Sequence, residues 1–418
     1  MRKILVVGAG QAGLMLALGL QDRGYDVTVV SDRTADEIRG GRVMSTQCMF
    51  GTALAHERDF GLDLWAGAAP DVLGLGVSVA GPDGGRAVDW VGRLDAYAHS
   101  VDQRVKMAAW LDLFAERGGS VVVHPVGVAD LEWYADRFDL VLLAAGKGPL
   151  AGMFDRDPER SPYTRPMRSL AVSYVHGLGP RPEHDFPAVR CNLVPGVGEL
   201  FVIPALTLSG PCDILFFEGV PGGPLDVFQG VRDPQAHLDL TLRLMKQFVP
   251  WEYDRAAGGV ALTDAHGTLS GRYTPTVRRP VVELASGGLV LGVADVVVAN
   301  DPITGQGSNN AAKCAALYLA AIEARGAGKF DRAWMTETFE AYWAHAAAVT
   351  KWTNAMLAPP PAHVLTLIGA GTAHQAVADR FANGFDDPAD FEEWFYTPER
   401  ADAYLAALGG PSGAVGEP

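Results

Sequence analysis

Lys3-Ile4-Leu5-Val6-Val7-Gly8-Ala9-Gly10-Gln11-Ala12-Gly13 opens the chain, and its reading decides the fold. An apolar run of this length predicts a buried strand of a parallel sheet. Gly8 then allows a tight turn, Gly10 lets backbone N–H groups approach a pyrophosphate, and Gly13 lets helix and strand pack closely. A helix over residues 14–22 follows, and after Gly24 the run Val27-Thr28-Val29-Val30 supplies a second strand. In this strand–turn–helix–strand setting the spacing points to an FAD or NAD site, with Gln11 and Ala12 in the loop and the phosphates on a helix N-terminus. The acid that ends the second strand of such units comes one residue late: Ser31 occupies its place and Asp32-Arg33 follow. Asp32 is either a ribose ligand or an ordinary solvated strand end.

Working outward, 418 residues suffice for two domains sharing a large core. Apolar residues at 48% and charged residues at 20% describe a globular chain. A net charge of −15 without a long basic stretch argues against nucleic acid or an anionic membrane as partner. No run approaches the ~18 apolar residues of a membrane span, and the glycine turn interrupts the only signal-like segment, so a cytoplasmic protein is expected. Cys48, Cys191, Cys212 and Cys314 are far apart with no CxxC or histidine cluster, which predicts neither a metal site nor a disulfide framework.

Further along, Gly40-Gly41-Arg42 marks a loop whose arginine can lie against a cofactor. Short strands and turns over 66–97 predict an inserted hairpin. Residues 105–114 have helical spacing, Val121-Val122-Val123 is the next strand, and Phe138 to Gly146 reads as a central strand ending in a small-residue turn at the sheet edge where a cofactor is met. From about 168 the pattern alternates, as in antiparallel sheet. The chain then returns through Gly287-Gly288-Leu289-Val290-Leu291-Gly292 and Asp295 to Asp301-Pro302-Ile303-Thr304-Gly305-Gln306-Gly307-Ser308-Asn309, a second glycine loop opening a helix. Residues 330–383 are helical around a break at Pro359-Pro360-Pro361, and Trp334, Phe339, Tyr342, Trp343 and Trp352 fit a core stripe. The expectation is an α/β fold: a Rossmann-like FAD-binding domain (1–167 and 275–325, with the hairpin), an antiparallel-sheet substrate domain (168–274), C-terminal helices (326–408) and a loose tail (409–418).

Two glycine loops of this kind point to a flavoprotein hydroxylase fold. From the N-terminus to about residue 405 the chain resembles the oxygenase component of two-component, FAD-dependent styrene and indole monooxygenases. The resemblance is carried by the first glycine loop, Thr28 to Arg33, Ser100-Val101-Asp102-Gln103-Arg104, Pro195-Gly196-Val197-Gly198-Glu199-Leu200, the second loop and Trp352-Thr353-Asn354. It implies that Arg42 and Arg104 lie on FAD, that Asp295 holds the ribityl chain and that residues 302–309 flank the isoalloxazine, with no single catalytic side chain. Cofactor-binding positions are then Gly8, Gly10, Gln11, Ala12, Gly13, Asp32, Arg33, Arg42, Arg104, Gly146, Asp295, Gly305, Gly307, Ser308 and Asn309. Pro302, Thr304 and Gln306 complete the flavin-facing loop.

The family has Gly-Asp where this chain has Ala294-Asp295, and Asn, Val and His where it has Ser45, Gln47 and Met49. Those three positions are either pocket lining or ordinary loop and core. The resemblance further implies reduced FAD as co-substrate, a separate NAD(P)H-dependent flavin reductase as partner, O2, and epoxidation of a small aromatic alkene or indole-like molecule through a flavin hydroperoxide. A single-component NAD(P)H-dependent flavin hydroxylase is the competing reading, and a homodimer is a candidate assembly.

Overall fold

The computed structural model describes residues 2–146 and 148–409; most of the expected tail, from 410 on, lies outside the described residues. Two sheets organise the chain. The first runs Val281–Glu283, Leu289–Gly292, Leu140–Leu143, Lys3–Val7, Asp26–Ser31, Ser120–Val123, all parallel except the outermost pair at Val281–Glu283. Its middle strand is covered on both faces, which is why its sequence is a continuous apolar run: Ile4, Leu5 and Val6 are fully buried. Helices Gln11–Asp22 and Gly307–Arg325 pack together over it. Because five strands run the same way, the residues following Val7, Ser31, Leu143 and Gly292 meet at one rim. That rim carries Gly8, Asp32, Gly146 and Asp295, the carboxyl edge at which such sheets take ligands.

The second sheet has eight strands, in the order Ala261–Leu262, Ser169–His176, Gly210–Gly219, Gly198–Thr207, Ala188–Val194, Val72–Ala80, Arg86–Ala98, with Thr268–Arg272 also on Ser169–His176. The hairpin expected near 66–97 is Val72–Ala80 with Arg86–Ala98, and it joins this sheet through a parallel pairing of Val72–Ala80 with Ala188–Val194. Alternation divides the sheet cleanly. Leu200, Val202, Leu215 and Phe217 face the Pro234–Phe248 helix, whereas Phe201, Ile203, Ile214 and Phe216 face the interior of the molecule with Trp352.

The C-terminal helices Arg332–Leu357, Ala362–Ala370, Gln375–Asn383 and Pro398–Leu408 close the remaining side. Pro359 to Pro361 fall between the first two, where a missing N–H and fixed φ end a helix. Trp334, Phe339, Tyr342 and Trp352 are buried as a core stripe, and Trp352 stacks on Phe391 with its edge on Phe385. Among the described residues no helix is long and apolar enough to cross a membrane.

Candidate active site

The first glycine loop is shaped by contacts, not by side chains. Gly8 has φ +117°, and a Cβ there would meet the Ala144 carbonyl carbon at 2.8 Å. A Cβ on Gly13 would sit 2.1 Å from the Gly8 oxygen. In front of Gly10, by contrast, there is nothing within 4 Å. The helix that begins at Gln11 has neither a side-chain cap nor an acid in its first turn, so its N–H groups are left for an anion. Gln11 itself turns inward, donating to Glu57 at 2.7 Å, and Lys106 reaches the same buried oxygen at 2.5 Å. Ala12 is buried. The loop thus offers a phosphate its backbone, and the open cradle at Gly10 fits a dinucleotide.

Around the rim, Asp32 is mostly exposed and pairs with Arg33 at 3.4 Å. Arg33 also approaches the Met44 sulfur, and Arg42 is exposed. Gly146 packs against Asp295 so closely that a Cβ would meet the Asp295 Cβ at 2.6 Å. Ala294, standing where glycine is usual, has φ +49°, the one non-glycine residue in that region among the described residues.

Arg104 departs from its expected role. Its guanidinium is buried and saturated: Nε donates to Asp102 at 2.9 Å, Nη1 and Nη2 to Asp264 at 3.0 and 2.9 Å, and Nη2 also to Thr207 at 3.2 Å. Nη1 reaches the Gly41 carbonyl at 3.4 Å. No donor remains for FAD, and Arg104 instead ties the 40–42 loop to the second sheet. Asp264, 160 positions away in sequence, is the partner that sequence reasoning did not supply.

The second loop is held from behind. Asp301 caps the Pro302–Thr304 turn through the Ile303 amide at 3.2 Å, and Gly305 closes it at φ +63°. Thr304 and Thr353 share a hydrogen bond of 2.6 Å. The buried Gln306 side chain donates to the Phe385 carbonyl at 2.8 Å, so it faces the C-terminal helices. Asn309 is likewise spent on protein: it donates to the carbonyls of Cys48 and Gly305 and accepts from the Phe50 amide. Gly307 is exposed with open space before it, Ser308 is half-buried, and the Gly307–Arg325 helix starts with no side-chain cap. A second set of unpaired N–H groups therefore faces outward, suited to an electron-rich carbonyl.

Between this loop and the second sheet lies a cavity of about 30 Å³. Pro302, Ile303, Thr304 and Gly305 form one wall; Phe201, Ile203, Phe216 and Phe385 form others. Thr46, Cys48 and Phe50 complete it together with Cys191, and no charged side chain lines it. Burial pushes the Cys48 and Cys191 thiols up to about 12, which keeps them neutral.

The expected pocket residues are therefore off by one. In the extended 43–50 segment, alternate side chains face opposite ways, and Thr46, Cys48 and Phe50 take the cavity side. Met49 is fully buried in the core beneath the parallel sheet. Gln47 donates to the Val101 carbonyl, and Ser45 donates to Gln47 at 2.8 Å.

The chain is similar to known proteins in sequence and in fold. Residues 3–59 match the family model "FAD binding domain", and residues 146–255 match "Styrene monooxygenase A putative substrate binding domain". The styrene monooxygenase StyA of Pseudomonas fluorescens is 29% identical over 414 residues, 96% of each chain. Among solved structures, a flavoprotein/dehydrogenase from Cytophaga hutchinsonii superposes with a TM-score of 0.67 at 12% identity, over 97% of this chain and 99% of that one. A triple mutant of the flavin-dependent brominase Bmp2 superposes with a TM-score of 0.66 at 15% identity, over 96% and 99%; both likenesses concern the fold. With the two open glycine loops, these likenesses make the chain an FAD-dependent monooxygenase that is similar over its whole length to styrene monooxygenase.

Proposed function

We propose that this chain is an oxygenase component that takes reduced FAD from a separate NAD(P)H-dependent flavin reductase and epoxidises a small aromatic alkene or an indole-like molecule. The observation that carries the substrate class is the uncharged, aromatic-walled lining against residues 302–305; its cavity volume of about 30 Å³ is water-sized, so these walls must part to admit such a molecule. Displacing Gln47 and Ser45 from its lining removes the polar groups that would favour a more polar substrate. On this reading residues 1–167 with 275–325 hold the cofactor, and 168–274 supply one side of the substrate wall through Phe201, Ile203 and Phe216.

Bound reduced FAD supplies the activation of O2 that the side chains do not. The chain binds and orients. Amides at Gly10 to Gly13 hold the pyrophosphate, Asp32 and Arg33 lie beside the adenosine half, and Asp295 holds the ribityl chain. The Gly305 amide is spent on the Pro302 carbonyl at 2.7 Å, so the uncapped helix start at Gly307 would be the part of this loop that offers its N–H groups to the ring and stabilises developing negative charge. Phe201, Phe216 and Phe385 exclude water from the reacting double bond. Only one dinucleotide-type strand–glycine–helix unit is present in the sequence, and it is committed to FAD.

The test is to mix the purified protein with NADH, FAD, O2 and styrene. No NADH oxidation is expected until a flavin reductase is added, whereas chemically reduced FAD alone should yield epoxide. Steady NADH consumption without a reductase overturns the two-component reading.

A further inference from the structure

An aromatic alkene is far larger than the water-sized space against residues 302–305, so one wall of the cavity has to yield. For scale, an apolar cavity that takes up benzene measures about 150 Å³. Three of the walls are fixed by hydrogen bonds. Cys191, Phe201 and Phe216 stand on the neighbouring strands Ala188–Val194, Gly198–Thr207 and Gly210–Gly219, which pair residue by residue. The Pro302–Thr304 turn is closed by the Gly305 amide on the Pro302 carbonyl at 2.7 Å and by the Thr304 and Thr353 hydroxyls at 2.6 Å. Between Cys48 and Phe50, Met49 exchanges both main-chain hydrogen bonds with His99, at 2.8 and 3.0 Å.

The fourth wall is Phe385, the only described residue from beyond the flavin loop that lines the cavity. Its backbone is anchored independently of its ring. The Phe385 amide donates to the Ala382 carbonyl at 3.2 Å, and its carbonyl accepts from Gln306 Nε2 at 2.8 Å. Next to it, Asp386 accepts from the Thr52 amide at 2.9 Å through its carboxylate and from Lys313 Nζ at 2.9 Å through its carbonyl. The Phe385 ring packs on other rings, those of Phe50, Trp352 and Phe381, with centroids 5.6, 4.7 and 5.9 Å away. Such contacts are individually weak and can re-form at a new angle, so turning this side chain costs less than opening a strand ladder or a capped turn.

We infer that Phe385 is a specificity-determining residue: its ring is the wall that turns aside for the substrate, and the room it vacates limits the aromatic group the cavity accepts. The Gln306 bond to the Phe385 carbonyl holds the backbone of the 302–307 loop and of residue 385 together while the ring moves. The inference rests on this cavity being the substrate site proposed above. Shortening residue 385 should then favour bulkier alkenes over styrene, and enlarging it should disfavour them.

The test compares wild type, Phe385→Leu and Phe385→Trp on styrene and the two-ring 2-vinylnaphthalene. Affinity is measured by equilibrium dialysis with oxidised FAD bound, and kcat/KM with chemically reduced FAD. In Phe385→Leu the ratio of 2-vinylnaphthalene to styrene should rise at least about tenfold in both measurements, the scale on which apolar pockets discriminate by size. In Phe385→Trp it should fall. Each ratio is taken within one variant, so a general loss of stability cancels, and a merely structural role leaves the ratio unmoved. Ratios within about twofold of wild type in both variants overturn the inference while epoxide formation leaves the proposed reaction standing. A shifted binding ratio with no epoxide from any variant supports the movable wall and places the fault in the proposed reaction. Should Phe385→Leu not fold, Phe385→Trp decides alone, and an unchanged ratio there overturns the inference.

Discussion

The Asn309 side chain and the Phe50 backbone are joined across 259 positions of sequence: Oδ1 accepts from the Phe50 amide at 2.9 Å, while Nδ2 donates to the Cys48 carbonyl at 2.8 Å. One amide group thus pins the cavity-lining 48–50 segment to the start of the Gly307–Arg325 helix. Asn309→Leu, close in volume, leaves buried backbone groups without partners, each costing about 1–3 kcal/mol. Urea unfolding of the apoprotein should show a loss of about 3 kcal/mol. A loss under about 1 kcal/mol would mean that water or neighbours replace the amide.

Arg104 should matter to the apoprotein more than to FAD. Removing one partner of a buried ion pair costs about 3–5 kcal/mol, and Arg104 serves both Asp102 and Asp264. Arg104→Leu is expected to lose about that much stability with no FAD present, and Arg104→Lys to recover little because an ammonium cannot span both carboxylates. Were Arg104 chiefly a phosphate ligand, apoprotein stability would hardly change and only FAD affinity would fall.

Gly10 and Gly13 should separate binding from folding. Gly10 has φ −91° and open space before it, so Gly10→Ala should fold with stability within about 0.5 kcal/mol of wild type. Its methyl enters the space assigned to the pyrophosphate, and FAD affinity should fall by more than about tenfold, a loss of at least 1.4 kcal/mol. Gly13→Ala forces a Cβ onto the Gly8 oxygen and should damage stability and binding together. Calorimetry and FAD titration of the two variants decide. Equal loss of stability in both would contradict the cradle.

The second sheet's pH dependence has a definite sign. A carboxyl whose folded pKa is raised binds its proton more tightly when folded, so its contribution to stability is complete below the unfolded value of about 4.3 and is lost as pH rises toward the folded value. Asp301, raised to about 6, exhausts its share near that pH, and Glu218, raised further, continues above it. Above the unfolded carboxyl range the stability of wild type relative to Glu218→Gln should fall as pH rises, because the folded state then holds a proton that the unfolded chain has lost. Denaturant unfolding at several pH values measures it. A difference independent of pH would show that Glu218 is ionised at neutral pH.

Much of this was legible in the sequence because the decisive signals are local. A buried strand, a glycine turn and a helix start within thirteen residues leave little freedom, and the alternation in Gly198–Thr207 and Gly210–Gly219 marks the antiparallel pair. What could not be read is parity and partnership. Whether Gln47 or Cys48 faces the cavity depends on the pairing of Met49 with His99 and of Val43 with His266, neither of which has a sequence signature. The same holds for Arg104, whose neighbour Asp264 arrives from another element, and for Glu218, which in sequence is one polar residue closing an apolar strand. The strands of the 72–98 hairpin were foreseeable, but their parallel pairing with Ala188–Val194 was not.

The most direct test of the whole account is a crystal structure with FAD and styrene bound. The ring system should lie against the 302–307 backbone with the pyrophosphate over Gly10, and the alkene should sit between the ring and Cys48, Phe201 and Phe216. A ring placed away from that loop, or a substrate bound outside this cavity, would contradict it.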